Sequence, residues 1–261
     1  MDKLSAFDLF AKSYDRSIDW NARLEHEMPF ILDSIKSEKA CRVLDIACGT
    51  GRHAIALSAE GMNVIGLDNS KQMIAQARKY SKEYGHPVKF IHDDMTNLAS
   101  IFDEEFDLII CLGNSLSLLP SLETVERVLI DAARLISDEG SLVFQVLNFE
   151  AIRRARDRFF PLKGGKLDDG KEVIFARFFE HLKETATTTL VLTALIEASE
   201  SWKPMVSRRQ LIQMDMPTTM SLLESAGLGV VEIYQDYDKS DFNPITSRNI
   251  VVRARKTPTK K

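Results

Sequence analysis

From residue 42 onward the chain alternates short apolar runs with amphipathic ones, and this rhythm constrains the fold more than any other feature. RVLDIA (42–47), NVIGLD (63–68), PVKFIHDD (87–94), FDLIICLGN (106–114) and GSLVFQVLN (140–148) are short and rich in aliphatic and β-branched residues, so they read as strands. RHAIALSAEG (52–61), SKQMIAQARKYSKEY (70–84) and SLETVERVLIDAARLIS (121–137) carry apolar residues at helical spacing, the last two behind a serine cap. Strands that are apolar along their length and separated by helices belong in a parallel sheet covered on both faces. The expected class is α/β, a doubly wound sheet.

After residue 150 the rhythm breaks. EVIFARFFEHL, TTTLVLTALIEAS and WKPMVSRRQLIQMD, between residues 172 and 215, are β-rich with no helices between them and read as an antiparallel insertion. PTTMSLLESAG (217–227) is a helix opened by Pro and closed by Gly, and GVVEIYQDY (229–237) and RNIVVRARK (248–256) read as two last strands. The expected organisation is a helical segment over 1–39 covering the site, a core over 40–150 and 213–256, an antiparallel cap over 151–212 for the second ligand, and a disordered tail at 257–261.

Composition excludes several classes. A formal net charge of -4 argues against a sequence-independent grip on nucleic acid. Three cysteines without C-x-x-C spacing predict a reduced, cytoplasmic setting and no metal site. No apolar run approaches the roughly 18 residues of a membrane span. Monomer and homo-oligomer both stay open.

In doubly wound sheets ligands bind beyond the carboxyl ends of the strands, where strand order reverses. The first such end reads VLDIACGTGRHA (43–54). Its Gly49-x-Gly51-x-x-Ala54 pattern suits a phosphate or a carboxylate equally, since glycines admit close backbone approach and a helix start offers N–H groups. Asp45 shifts the choice, unless it only ties down the loop's own amides. A carboxylate close to the ligand repels a diphosphate and attracts an ammonium or sulfonium. S-adenosylmethionine has adenosine, no phosphate, and an amino-acid tail beside a sulfonium. Asp45 and the Ala47 carbonyl would accept from its ammonium. Asp68, 17 residues beyond Gly51, would accept from the ribose hydroxyls, with Asn69 and Met73 beside it. Asp94, with Asp93 as its alternative, would accept from the adenine amino group while Met95 packs on the ring. Leu112 and Gly113 would line the sulfonium, and Asn114 would face the ligand or the methyl acceptor. Trp20 would add an aromatic wall for a cationic ligand, and His181 of the cap is an acceptor-side candidate.

VLDIACGTG, GLDNS, the HDDM stretch, FDLIICLGNS and LISDEGSLVFQV closely resemble the class I S-adenosylmethionine-dependent methyltransferases over residues 40–150. That resemblance implies a Rossmann-like seven-stranded sheet of order 3-2-1-4-5-7-6 with the last strand antiparallel. Within the class, the chain is most similar to the glycine/sarcosine N-methyltransferase branch. The residues are the Tyr14-Asp15-x-x-x-x-Trp20 segment, Cys111–Ser115, Asn148-Phe149-Glu150 and the antiparallel insertion. By that likeness Tyr14 would cover the sulfonium side and Arg23 would lie near the cofactor carboxylate. The chain departs from the pattern at Leu118, where animal glycine methyltransferases carry a histidine, and at Leu147, where they carry an arginine for the glycine carboxylate, so a glycine acceptor would need Arg153, Arg177 or another arginine as its cationic clamp.

The expected activity is in-line methyl transfer to a small molecule, first an amine or amino-acid nitrogen, with an oxygen acceptor or a nucleic-acid or protein substrate as alternatives. The arginines at 153, 154, 156 and 158 read as a solvated helix face, as a site for an anionic acceptor or as a lid.

Overall fold

The computed structural model of the chain describes residues 15, 17–35, 41–156, 158–167, 169–181 and 188–257, without the side chain of His181. A helix, α1 (Trp20–Asp33), precedes the alternation. β1 (Arg42–Ile46), α2 (Arg52–Ala59), β2 (Asn63–Asp68), α3 (Lys71–Tyr84) and β3 (Lys89–His92) follow. A short α4 (Leu98–Ile101) leads into β4 (Phe106–Cys111), α5 (Leu122–Leu135) and β5 (Ile136–Leu147). After α6 (Phe149–Arg154) come the insertion strands β6 (Lys163–Lys166), β7 (Glu172–His181), β8 (Thr188–Ala198) and β9 (Ser201–Leu211). α7 (Met216–Ser225), β10 (Leu228–Tyr234) and β11 (Asn249–Lys256) complete the core.

The main sheet has the order β3-β2-β1-β4-β5-β11-β10, and β6 to β9 form a separate sheet in sequence order. β11 is antiparallel to β5 and β10, while β1 to β5 pair in parallel. Numbered by its own seven strands the main sheet is 3-2-1-4-5-7-6, the expected order. Strand order reverses between β1 and β4, so a crevice opens beyond their carboxyl ends.

Alternation along β1 distributes its side chains to two cores. Leu44 and Ile46 pack on one face with Val125, Leu129 and Leu222 of α5 and α7. Val43 packs on the other with Phe30, Ala54 and Ile74 of α1, α2 and α3. Asp45 shares a face with Val43, two residues away. Its carboxylate therefore enters the apolar layer under α2. Local chemistry sets the helix starts: Ser70 accepts from the Met73 amide at 3.3 Å, Ser121 from Thr124 at 3.2 Å and Asp215 from Thr218 at 3.0 Å.

Several boundaries differ from expectation. The strand expected over 106–114 stops at Cys111, because Gly113 (φ 70°) and Asn114 (φ 65°) turn the chain through left-handed backbone. The helix expected to reach 137 ends at Leu135, where Ile136 is already extended. The strand over 87–94 shortens to Lys89–His92, since Asp94 instead caps the turn that follows. β6 is an added edge strand that its glycines and lysines concealed. In the arginine cluster, Arg153 and Arg154 pair with Glu150 at 2.9 and 2.5 Å, and Arg158 donates to the Phe179 carbonyl at 3.1 Å. No helix among the described residues is long and apolar enough to cross a membrane.

Gly51 is required by packing rather than by ligand approach. It has φ 75°, and a Cβ there would lie 2.5 Å from the Phe90 ring of β3. Gly51→Ala should cost about 2–4 kcal/mol, combining overpacking with left-handed strain. Urea unfolding would show this as a lower midpoint, partly recovered by Phe90→Leu in the same chain. A midpoint unmoved by Gly51→Ala would contradict the packing.

Candidate active site

β1 ends in a bend with left-handed backbone at Ala47 (φ 57°), Gly49 (φ 56°) and Gly51 (φ 75°). The Gly49 amide donates to Asp68 Oδ2 at 2.8 Å, and the Ser70 amide donates to Asp68 Oδ1 at 2.8 Å. Asp68 thereby ties the loop after β1 to the start of α3. A Cβ on Gly49 would meet no atom within 4 Å, so this glycine faces open space.

Asp45 sits beneath the bend and is 3% exposed. The Ala54 amide of α2 donates to its carboxylate, yet Oδ2 has no hydrogen-bond partner among the described residues. Burial first, then the neighbouring charge of Asp68, pushes the Asp45 carboxyl well above the usual carboxylate range.

Two cavities adjoin one another, and the first borders this bend. The first, a cleft of about 160 Å³, is bounded by Trp20, Arg23, Asp45, Ala47, Gly49 and Leu112, among others. The second, a chamber of about 350 Å³, runs between the main sheet and the cap. Ile18, Arg23, Met73 and Gly113 line both. Arg23 donates to Glu27 at 2.8 Å, and the other oxygen of Glu27 lies 2.6 Å from His53 Nε2. Burial alone would raise the Glu27 carboxyl, but the His53 hydrogen bond and the Arg23 charge outweigh it and hold it below its ordinary value.

The segment before α1 is clasped onto the bend. The buried carboxylate of Asp15 accepts from Thr50 Oγ1, from Arg52 at 3.1 Å and from the Tyr80 hydroxyl at 3.1 Å. The Arg52 guanidinium lies 3.7 Å from the Tyr80 ring centre, and Trp20 Nε1 donates to the Asp15 carbonyl at 3.1 Å. Trp20 also meets His53 edge-on with ring centres 5.8 Å apart. Tyr14 and the His181 side chain, two of the anticipated residues, lie outside the described residues.

Other anticipated residues are engaged locally. Asn114 lines the chamber, but its Oδ1 accepts from the Leu147 amide and from Ser117 Oγ, both at 2.8 Å. Its NH2 is the group left for a ligand. Asp94 accepts from the Thr96 amide at 2.9 Å and from Asn69 Nδ2 at 3.1 Å, while Asp93 accepts from Asn97 Nδ2 at 2.7 Å. Met95 packs against the larger core. Asn69, Asp93, Asp94 and Met95 are not in the walls of either cavity. Leu118 and Leu147, the two departures, both line the chamber.

Sequence reasoning gave no role to Asp15, Gln145, Asn249 or the apolar residues of the cap wall. Gln145 Nε2 donates to Asn249 Oδ1 at 3.0 Å across the β5–β11 pair, and both line the chamber. A glutamine inside the apolar run SLVFQVL was the available signal.

A methyltransferase-domain family matches residues 43–140. A glycine/sarcosine N-methyltransferase of Aphanothece halophytica is 32% identical over 143 residues, covering 55% of this chain and 54% of that protein. The matched residues run from β1 into β5 and carry the bend after β1. The chain spans about half the length of the first curated relatives it matches. In overall fold the chain resembles an S-adenosylmethionine-dependent methyltransferase of Clostridium acetobutylicum, with 15% identity, TM-score 0.76 and coverage of 95% of this chain and 96% of that one. It likewise resembles the sugar N-methyltransferase KedS8 of a Streptoalloteichus species, with 21% identity, TM-score 0.69 and coverage of 98% and 96%.

The residues present fit S-adenosylmethionine, the cofactor expected from the sequence. A buried carboxylate oxygen without a partner at the cleft wall complements an ammonium, whereas it would repel a diphosphate. The open side of Gly49 leaves room for close approach.

A pH dependence follows for the ligand-free domain. The folded state holds the Asp45 proton more tightly than the unfolded chain does. Its contribution is fully present below the unfolded carboxylate pKa of about 4 and is lost as pH rises through the higher folded value. Asp45→Asn removes this loss. Thermal unfolding should show the variant at least as stable as the parent at pH 7, with the difference shrinking toward pH 4. S-adenosylhomocysteine affinity should fall about tenfold, one charge-assisted bond being worth about 1.5–3 kcal/mol. A variant that keeps full affinity removes Asp45 from the site.

Proposed function

We propose that the chain is an S-adenosylmethionine-dependent methyltransferase acting on a small molecule, at an amine or amino-acid nitrogen. The observation that carries this reading is the shared wall. Ile18, Arg23, Met73 and Gly113 border both the cleft and the chamber, so ligands in the two would touch. The nitrogen specificity draws support from the relative named a glycine/sarcosine N-methyltransferase.

When bound, S-adenosylmethionine supplies an electrophilic methyl group on a sulfonium whose departure leaves a neutral thioether. In this reading Asp45 and the Ala47 carbonyl hold the ammonium, Arg23 the carboxylate and Asp68 the ribose, with Asn69 beside it. Asp94 and Met95 meet the adenine, with Asp93 adjacent. Leu112, Gly113 and Met73 flank the sulfonium, and Trp20 covers it. The described residues of the cap roof the acceptor, and α1 closes the cofactor side. The chain's main task is alignment and exclusion of water. Leu118, Leu147 and Phe179 give the chamber apolar walls, while Gln145, Asn249 and the Asn114 amide orient polar atoms.

No carboxylate or histidine lines the chamber among the described residues. Apolar walls and neighbouring cations disfavour an ammonium, so an amine would sit there neutral, as the nucleophile must be.

Calorimetry with S-adenosylmethionine, S-adenosylhomocysteine and NAD tests the donor. Micromolar binding of both sulfur ligands and none of NAD is expected, with Asp68→Ala weakening both by about tenfold or more. A screen of amines, amino acids and phenols with labelled methyl donor tests the acceptor. Label transferred to phenols alone would overturn the nitrogen assignment.

A further inference from the structure

The chamber's two ends differ in chemistry. Near the cleft it is lined by Met73 and Gly113, and the opposite wall is one face of the cap. Along β7 and β8, Arg177 pairs with Leu192 and Phe179 with Leu190, so these four side chains share a face. All four line the chamber, and Arg177 is the one charged side chain that the cap contributes to its described walls.

The guanidinium of Arg177 lies 4.7 Å from the ring centre of Phe160, another wall residue, so an aromatic face supports it from within the chamber. Two further cations stand close. Arg23 enters from α1. Lys163 of β6 pairs with Phe175, two residues from Arg177 on the same face of the cap sheet. The Lys163 ammonium is held below its ordinary value by burial first, then by the charges of Arg177 and Arg23. The three cations thus share one field, moderated at Arg23 by its pairing with Glu27.

Size adds a second constraint. About 350 Å³ lies within the roughly 300–1,000 Å³ of pockets that enclose drug-sized ligands. Glycine would leave most of it empty, and Leu118, Leu147, Leu190 and Leu211 offer the remaining volume only apolar contact.

We propose that the methyl acceptor is a small carboxylate with an apolar body larger than an unsubstituted amino acid. Its carboxylate docks on Arg177 at the cap, its body packs on the leucine and phenylalanine walls, and its nucleophilic atom points toward Met73 and Gly113. This rests on the small-molecule methyltransferase reading above and adds the acceptor's class. The planar fork of arginine matches a carboxylate in two parallel hydrogen bonds, and an apolar surround strengthens them. The arrangement replaces the arginine missing at Leu147 with one from the opposite wall, and so lengthens the acceptor that fits.

The test uses the full chain saturated with S-adenosylhomocysteine, titrated by calorimetry with 3-phenylpropionate, 3-phenylpropylamine and propionate. The first keeps body and charge, the second reverses the charge, and the third removes the body. We expect 3-phenylpropionate to bind at least tenfold more tightly than either of the others. Arg177→Gln should abolish that preference while S-adenosylhomocysteine affinity stays within twofold, which shows that the variant is folded. Lys163→Gln should weaken 3-phenylpropionate less than Arg177→Gln does. Cofactor binding without a preference for the phenyl carboxylate, or a preference that survives Arg177→Gln, overturns this proposal alone. A chain that fails to bind S-adenosylhomocysteine overturns both this proposal and the function on which it rests.

Discussion

The hydrogen bond from the Gly49 amide to Asp68 is the constraint on which the site depends. It joins the bend after β1 to the end of β2, and Gly51 seats that bend against Phe90 of β3. Three adjacent strands therefore hold one loop. With the loop held, Asp45 lies beneath it, α2 begins where it ends, and Asp15 closes over it through Thr50, Arg52 and Tyr80. A flexible loop could not keep a buried carboxylate with an unpartnered oxygen, because water would enter or the side chain would turn away.

Charge divides the crevice. The cleft is walled by Asp15 and Asp45, with Asp68 tied to the bend beside them. The chamber carries Arg23 and Arg177, with Lys163 near. A cationic donor on one side and an anionic acceptor on the other would each meet a complementary field. Arg23 stands on the boundary, and its pairing with Glu27, itself paired with His53, moderates its charge there. Short-range electrostatics of this kind act strongly because the walls are apolar and exclude water.

Legibility in the sequence followed locality. The glycine bend, Asp45 and Asp68 were visible because strand ends are marked by turn residues and by charges that interrupt apolar runs. Asn114 was visible for the same reason, but its use was not: its oxygen ties the turn to Leu147 and Ser117. Asp93 and Asp94 read as ligand acceptors, yet Asn97, Thr96 and Asn69 already donate to them. Short polar side chains at strand ends bond their own backbone as readily as a ligand, and spacing alone does not separate the two uses.

By itself the sequence determined the α/β class, the seven core strands, the helix caps and the glycine bend with a carboxylate beneath it. Periodicity, capping and a misplaced charge are local properties that follow directly from residue order. The tertiary structure alone decided which side chains line the chamber together. Arg177, Phe160 and Leu192 belong to the insertion, while Gln145 and Asn249 come from strands 104 residues apart in the chain. They meet because the cap sheet folds back over the main one, and no pattern within any single segment encodes that approach.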